Sequence, residues 1–257
     1  MPSTRVGPGP RCDRPGFESV NTVPLVVIPA FNEAESVGAV VADVRGALPQ
    51  GRVLVVDDGS SDRTAQAARE AGATVLRLRM NCGYGVALQA GYKYAVRHGF
   101  DVVAQMDADG QHLAEYLPAM VASVAGDEAD IVIGSRFLDG DGHYRPSLAR
   151  RAGMELFGRI ASIVMRQPVT DPTSGYQAMN SRVTRFFCSG VYPTDFPDAD
   201  VLILLHRSGF RIREAPVKMR MYDGPSMHGG HGSVYYVYKM LLSILLTMLR
   251  PATPTRQ

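Results

Sequence analysis

Residues 24–33 read PLVVIPAFNE and residues 52–64 read RVLVVDDGSSDRT. Both begin with a short apolar run, Pro24–Ile28 and Arg52–Val56, and both break into polar turn formers. A run too short for a helix and apolar on both faces suits a strand buried in a parallel sheet. Between the two, Asn32 followed by Glu35 has the pattern of a capping box and predicts a helix to about Leu48, ahead of Pro49. Ser61 is the expected cap of a second helix ending at Gly72. Working outward, Thr74–Leu78 predicts a third strand, Gly83 and Gly85 lead into a helix ending near Gly99, and Val102–Met106 and Ile131–Ile133 are a fourth and fifth strand. This alternation predicts an α/β fold, an open and mostly parallel sheet with helices on both faces.

The chain has 257 residues, 46% of them hydrophobic, which is enough to bury a sizeable core. Its 27 basic and 25 acidic residues nearly cancel, so nucleic-acid binding by bulk charge is excluded. Cys12, Cys82 and Cys188 are widely spaced and form no CxxC pair, which points to a reducing cytosol rather than a disulfide scaffold or zinc site. Residues 1–22 are rich in Pro, Gly and Arg with no apolar period and read as a flexible tail rather than a signal peptide.

Ser233–Leu249 is apolar but shorter than a bilayer span, and Lys239 interrupts it. Lys239, Ser243 and Thr247 recur every four residues and form one narrow polar stripe on a helix, with Tyr235, Tyr236 and Tyr238 at its start and Arg250 at its end. This pattern fits an interfacial helix with its apolar face in lipid. It fits equally a helix packed on the protein's own core or on a partner subunit.

Ligands of such sheets bind beyond the carboxyl ends of the strands. Glu33 follows the first strand, Asp57 and Asp58 the second, and Asp107, Asp109 and Gln111 the fourth. Any single Asp here could be a turn former or helix cap. Five carboxylates on one crevice repel one another unless a cation or polar ligand compensates. The oxygens of Asp107, Asp109 and Gln111 suit Mg²⁺ or Mn²⁺. Neither a GxGxxG dinucleotide turn, nor a Walker lysine motif, nor a GxSxG elbow is present.

The segments VVIPAFNE (26–33), VLVVDDGSSDRT (53–64), QMDADGQH (105–112), IVIGSRF (131–137) and DPTSGYQAM (171–179) occur in that order. Together they resemble family 2 glycosyltransferases of the GT-A fold, and within them the dolichyl- or polyprenyl-phosphate mannose synthases. The resemblance covers roughly residues 24–232. It implies a GT-A catalytic domain over 23–232, flanked by the tail and by an amphipathic helix with its own tail over 233–257. It implies that Pro29, Phe31 and Glu33 hold the nucleoside, that Asp57 contacts base and ribose, and that Asp58 supports the turn. Asp107, Asp109 and Gln111 match the metal-binding trio. Arg136 and Arg150, or Arg151 in its place, match arginines that hold an acceptor phosphate. Ser174 lies in the wall of that site, and Arg220 faces the donor diphosphate. The loop from Arg220 to Ser226 departs from the family pattern in length, and Met227 stands where a lysine often follows.

The implied reaction moves a hexose from a nucleotide sugar, GDP-mannose first and a UDP-sugar second, to a polyprenyl phosphate, with Mg²⁺ or Mn²⁺ as cofactor. The enzyme would then be peripheral on the cytosolic face of the membrane, held by the membrane surface or by a small anchoring subunit. Six arginines between Arg136 and Arg166, and four more with Lys218 between His206 and Met221, fit an anionic acceptor and membrane. A second reading takes a hydroxyl acceptor, which needs a base, with Asp198 or Asp200 as the candidates. A third is a catalytically silent nucleotide-binding partner of a membrane protein. His228 and His231 lie in a glycine-rich loop and are either donor contacts or surface histidines.

Overall fold

The computed structural model describes residues 23–138, 148–193, 198–220 and 232–249. The tail over 1–22, the loop with Gly224, Ser226, Met227, His228 and His231, and Arg250 lie outside the described residues.

Strands β1 (Leu25–Ala30), β2 (Arg52–Asp57), β3 (Thr74–Arg77), β4 (Val102–Gln105), β5 (Ile131–Ser135), β6 (Gln177–Asn180) and β7 (Ile212–Pro216) form one sheet in the order β3-β2-β1-β4-β6-β5-β7. All neighbours pair in parallel except β6, which runs antiparallel between β4 and β5. The helices are α1 (Val37–Ala47), α2 (Thr64–Glu70), α3 (Tyr84–Arg97), α4 (Leu117–Ala125), α5 (Leu148–Met165), α6 (Ser181–Phe186), α7 (Ala199–Arg207) and α8 (Gly232–Leu249).

The alternation of β1 explains its uninterrupted apolar run. Leu25 and Val27 enter a core shared with α3, α5, α7 and α8, while Val26 and Ile28 enter a second core shared with α1, α2 and α4. Gly91 lets α3 lie directly on β1, since a Cβ there would stand 2.4 Å from Val27 Cγ1.

Two expected caps are corrected. Asn32 does not cap α1, which starts at Val37 after Ser36. Its backbone is left-handed (φ 56°), and its Oδ1 accepts from the Ser61 N–H at 2.9 Å. Ser61 is correspondingly occupied with Asn32, and Asp62 Oδ1 takes the Thr64 N–H that opens α2.

The polar stripe of α8 faces inward. Ser243 Oγ donates to Asp200 Oδ2 of α7 at 2.5 Å, and Thr247 is buried with Met240 and Ile244. Tyr238, Leu241, Leu242, Leu245, Leu246, Met248 and Leu249 are exposed instead. A buried carboxylate needs its hydrogen bonds, so the helix turns Ser243 to Asp200, and its leucines face outward. No helix among the described residues is long and apolar enough to cross a membrane.

Part of the basic second half is taken up by structural pairs. Asp130 accepts from the Arg211 N–H and from Asn180 Nδ2 and pairs with Arg182 and Arg211, Arg213 pairs with Glu128, and Arg211 also reaches Asp127. These contacts fasten the β5–β6–β7 edge to the end of α4, so Arg211 and Arg213 have structural partners without any ligand.

Candidate active site

The loops after β1 and β2 are stitched together by side-chain hydrogen bonds. The Asn32 N–H donates to Ser60 Oγ at 2.9 Å and the Glu33 N–H to Thr64 Oγ1 at 2.8 Å. Pro29 is buried at the end of β1, while Phe31 in the turn that follows is exposed. The Glu33 carboxylate accepts from Ser36 Oγ at 2.6 Å. Burial raises its pKa, and the charges of Asp109 and Asp107 push it further up against the lowering by Ser36. Carboxylates from two strand ends therefore do share a field, as the sequence led us to expect.

Asp57 and Asp58 divide the work of the second strand end. Asp58 is spent on the chain itself, since its oxygens accept from the Cys82 and Gly83 N–H groups, both at 2.8 Å, and so fix the turn into α3. Asp57 is fully buried and accepts from the Ser60 N–H at 2.9 Å. Its Oδ2 lies 3.1 Å from Arg77 Nε, yet it is the buried side-chain oxygen that accepts no hydrogen bond among the described residues. An acceptor held this way is prepared for an outside donor.

The turn after β4 carries the acidic centre. Asp109 accepts from the Gln111 N–H at 2.9 Å and from Gln111 Nε2 at 2.7 Å. Burial raises the Asp109 pKa and the neighbouring Asp107 raises it again. Gln111 is tied to Asp109 through its two N–H donors, which leaves its Oε1 outside that contact. His112, absent from the sequence-based candidates, stacks on Tyr176 with centroids 4.8 Å apart and accepts the Asp107 N–H at Nδ1. Burial lowers its pKa, so it is a neutral prop beneath the turn. Tyr84 was also missed, and its hydroxyl donates to Asp107 Oδ1 at 2.8 Å. Burial and the Asp107 charge hold that phenol protonated.

Hard oxygens under mutual repulsion fit a divalent cation that takes its remaining ligands from a diphosphate and water. Among the described residues no three His, Cys, Asp or Glu gather so that they could hold a metal ion by themselves.

The arginines depart from expectation. Arg136 points at Asp171, not at an open acceptor site: Nε donates to Oδ2 at 2.6 Å, Nη2 to Oδ1 at 2.7 Å, and Nη2 again to Thr173 Oγ1 at 3.0 Å. Glu214 of β7 accepts from the Thr170 and Asp171 N–H groups behind this loop. Ser174 is buried, with its Oγ accepting from the Tyr176 N–H, so it braces the turn from within. The Arg220 N–H donates to Gln111 O at 2.8 Å, which brings its backbone to the crevice, but its guanidinium pairs with Asp43 of α1 at 3.0 Å. Arg151 is exposed and pairs with Glu155 one turn on. The side chain of Arg150 lies outside the described residues. Both pairs are solvent-exposed and weak enough to yield to a phosphate. Asp200 is committed to α8, so burial raises its pKa in a place where it serves packing rather than proton transfer.

The Glycosyl transferase family 2 model matches residues 25–186, from β1 into α6. The chain is a family 2 glycosyltransferase. Among its relatives it is 35% identical over 215 residues to an undecaprenyl-phosphate mannosyltransferase of Micrococcus luteus, covering 80% of this chain and 88% of that one. It is 33% identical to a dolichyl-phosphate hexose transferase of Haloferax volcanii, covering 77% and 83%. In fold it is similar to glucosyl-3-phosphoglycerate synthase from Mycobacterium tuberculosis, solved with Mn²⁺, uridine diphosphate and phosphoglyceric acid. The TM-score is 0.66 at 20% identity, over 93% of this chain and 85% of that one. The sheet is accordingly the GT-A sheet, and this glycosyltransferase resembles the polyprenyl-phosphate branch of its family.

Proposed function

We propose that this glycosyltransferase moves a hexose from a nucleotide sugar, GDP-mannose first among the donors, to a polyprenyl monophosphate. The observation that carries the reading is the meeting of Glu33 with Asp107 and Asp109, whose charges act on one another at the carboxyl ends of β1 and β4. Asp57 Oδ2 accepts from the base or ribose of the donor, and Phe31 covers the nucleoside. Asp107 and Asp109 would hold Mg²⁺ or Mn²⁺ together with the diphosphate. When bound, that ion neutralises the charge that grows on the departing nucleoside diphosphate.

The acceptor oxygen is already anionic at neutral pH, so no general base is needed, only alignment with the anomeric carbon and exclusion of water. The phosphate oxygen forms the new bond to that carbon as the sugar–diphosphate bond breaks, and the electron pair leaves with the nucleoside diphosphate. Displacement from the opposite face inverts the centre, so an α-linked donor gives a β-linked lipid phosphate. Arg150 and Arg151 at the start of α5 are the acceptor-phosphate cations. Arg136 acts one step back, bracing the 171–175 loop through Asp171. Arg220 swings from Asp43 toward the diphosphate. The hydroxyl-acceptor reading loses one of its two bases, because Asp200 is sealed beneath α8.

The catalytic domain spans 23–232, and residues 233–257 seat it on the cytosolic face of the membrane, where the lipid acceptor resides. The outward leucines of α8 supply that contact. Substituting Gln for Leu245 and Leu249 together is expected to weaken binding to vesicles containing anionic lipid at least about tenfold, since each exposed leucine is worth about 1.5 kcal/mol or more on burial. Co-sedimentation reads this, and unchanged binding would remove α8 from the membrane contact.

The donor is tested by incubating the protein with radiolabelled GDP-mannose, UDP-glucose and UDP-N-acetylglucosamine, each with undecaprenyl phosphate and Mg²⁺. Label entering the organic phase from GDP-mannose foremost is the expected result. A UDP-sugar as the preferred donor would correct the nucleotide and leave the acceptor standing. No transfer from any of the three would refute the proposal.

A further inference from the structure

The crevice contains a hydrogen-bonded chain that the reaction as described does not use. It begins inside the core, where the Tyr92 hydroxyl donates to Gln105 Oε1. That bond places the amide nitrogen of Gln105 on the other side, where Nε2 donates to the Tyr84 oxygen at 3.3 Å. With its oxygen occupied as an acceptor, Tyr84 directs its own proton to Asp107 Oδ1, 2.8 Å away. Gln105 and Tyr92 are both buried, so the order of donors and acceptors is set from within the core and ends on a carboxylate at the crevice.

The backbone of Gly175 closes the other side of this contact. A Cβ at that position would lie 2.9 Å from the Tyr84 hydroxyl and 3.3 Å from each Asp107 oxygen. Tyr84 and Asp107 are therefore clamped between the start of α3 and the turn before β6. That turn is in turn held by Arg136 on Asp171.

We propose that Tyr84 is a positioning residue for Asp107: its hydroxyl holds Oδ1, so that Oδ2 is presented to a divalent cation bound together with the nucleoside diphosphate. This rests on the cation-dependent reading above. A carboxylate free to rotate must be ordered when the ion arrives, whereas one pinned through a single oxygen already has its second oxygen in place. Partners that orient metal ligands in this way are commonly worth 10- to 100-fold in affinity for the ion.

The test is direct titration of the full chain with Mn²⁺ in the presence of GDP, with free Mn²⁺ followed by electron paramagnetic resonance. Tyr84→Phe keeps the ring and removes the contact. It is expected to raise the apparent Kd for Mn²⁺ about tenfold or more. In turnover the Mn²⁺ concentration for half-maximal rate should rise by the same factor, while kcat at saturating Mn²⁺ stays within about threefold. The thermal midpoint should remain at that of the parent, which separates positioning from a loss of folding. Gly175→Ala, which pushes a methyl group between the same two side chains, is expected to weaken Mn²⁺ similarly. The double variant should be no weaker than the worse single one, because both changes act on one contact. Parental Mn²⁺ affinity in Tyr84→Phe would overturn the role of Tyr84 and leave the proposed reaction intact. A parent protein that binds no Mn²⁺ with either GDP or UDP would overturn both.

Discussion

Asp109→Ala is expected to lower sugar transfer by about a thousandfold or more without lowering the stability of the fold. The magnitude follows from the several kcal/mol that a correctly held cation contributes to stabilising leaving-group charge, each 1.36 kcal/mol being worth a factor of ten. The sparing of stability follows from the electrostatics of the turn. Asp109 is buried beside Asp107 and has its pKa raised by both burial and that charge, so the folded protein bears its ionised form at a cost. Its compensating bonds come from Gln111 two residues away, within the same turn, and brace no distant element. A residue whose removal destroys activity while the melting midpoint holds or rises is kept for a ligand. Transfer by the alanine variant at more than a tenth of the parental rate, with an unchanged Mg²⁺ response, would take Asp109 out of the cation site.

Asp171→Ala is expected to act on the fold itself. Its carboxylate is fully buried and receives Nε and Nη2 of Arg136 as well as the Arg136 N–H, while Arg136 is almost as deeply enclosed. Removing one member strands a buried guanidinium, a loss of about 3–5 kcal/mol. Against a typical domain stability of about 5–15 kcal/mol this is a large fraction. Urea unfolding should show a markedly lower midpoint, and activity should fall with it as the 171–175 loop loses its brace. Arg136→Lys should not rescue the arrangement, because a single ammonium cannot reproduce the two parallel bonds. An Asp171→Ala protein within about 1 kcal/mol of the parent would mean that the pair contributes little and that Arg136 is available for a phosphate.

β1, β2, β4 and β5 were legible because strands buried on both faces must be apolar throughout, and VVI, VLVV and VVA stand out against their neighbours, whereas the half-exposed edge strand β3 was marked by the glycines around it. β6, with the sequence QAMN, and β7, with IREAP, were not. The first is four residues long and acquires its strand character only from the neighbours on either side. The second lies at the sheet edge, half-exposed, and carries the charges of Arg213 and Glu214.

The acidic crevice was legible for a related reason, since topology alone brings the ends of β1, β2 and β4 together. Roles that depend on partners far along the chain were hidden. Arg136 looked available until Asp171 was found 35 residues on, and Asp200 looked like a base until Ser243 was found against it. Tyr84 carried no signal, being one tyrosine at a helix start whose importance is the position of its hydroxyl relative to a different strand. The stripe on α8 was read correctly as a stripe, but only the buried carboxylate beneath it decides which side faces inward.

The need for an anionic acceptor is the claim on which the rest depends. The most direct measurement compares undecaprenyl phosphate with undecaprenol as acceptors for radiolabelled GDP-mannose, with the purified protein, Mg²⁺ and detergent. Transfer to the phosphate alone, giving a β-linked mannosyl lipid phosphate, is the expected result. Equal transfer to the alcohol, or an α-linked product, would contradict a mechanism in which the acceptor brings its own charge and no base is required.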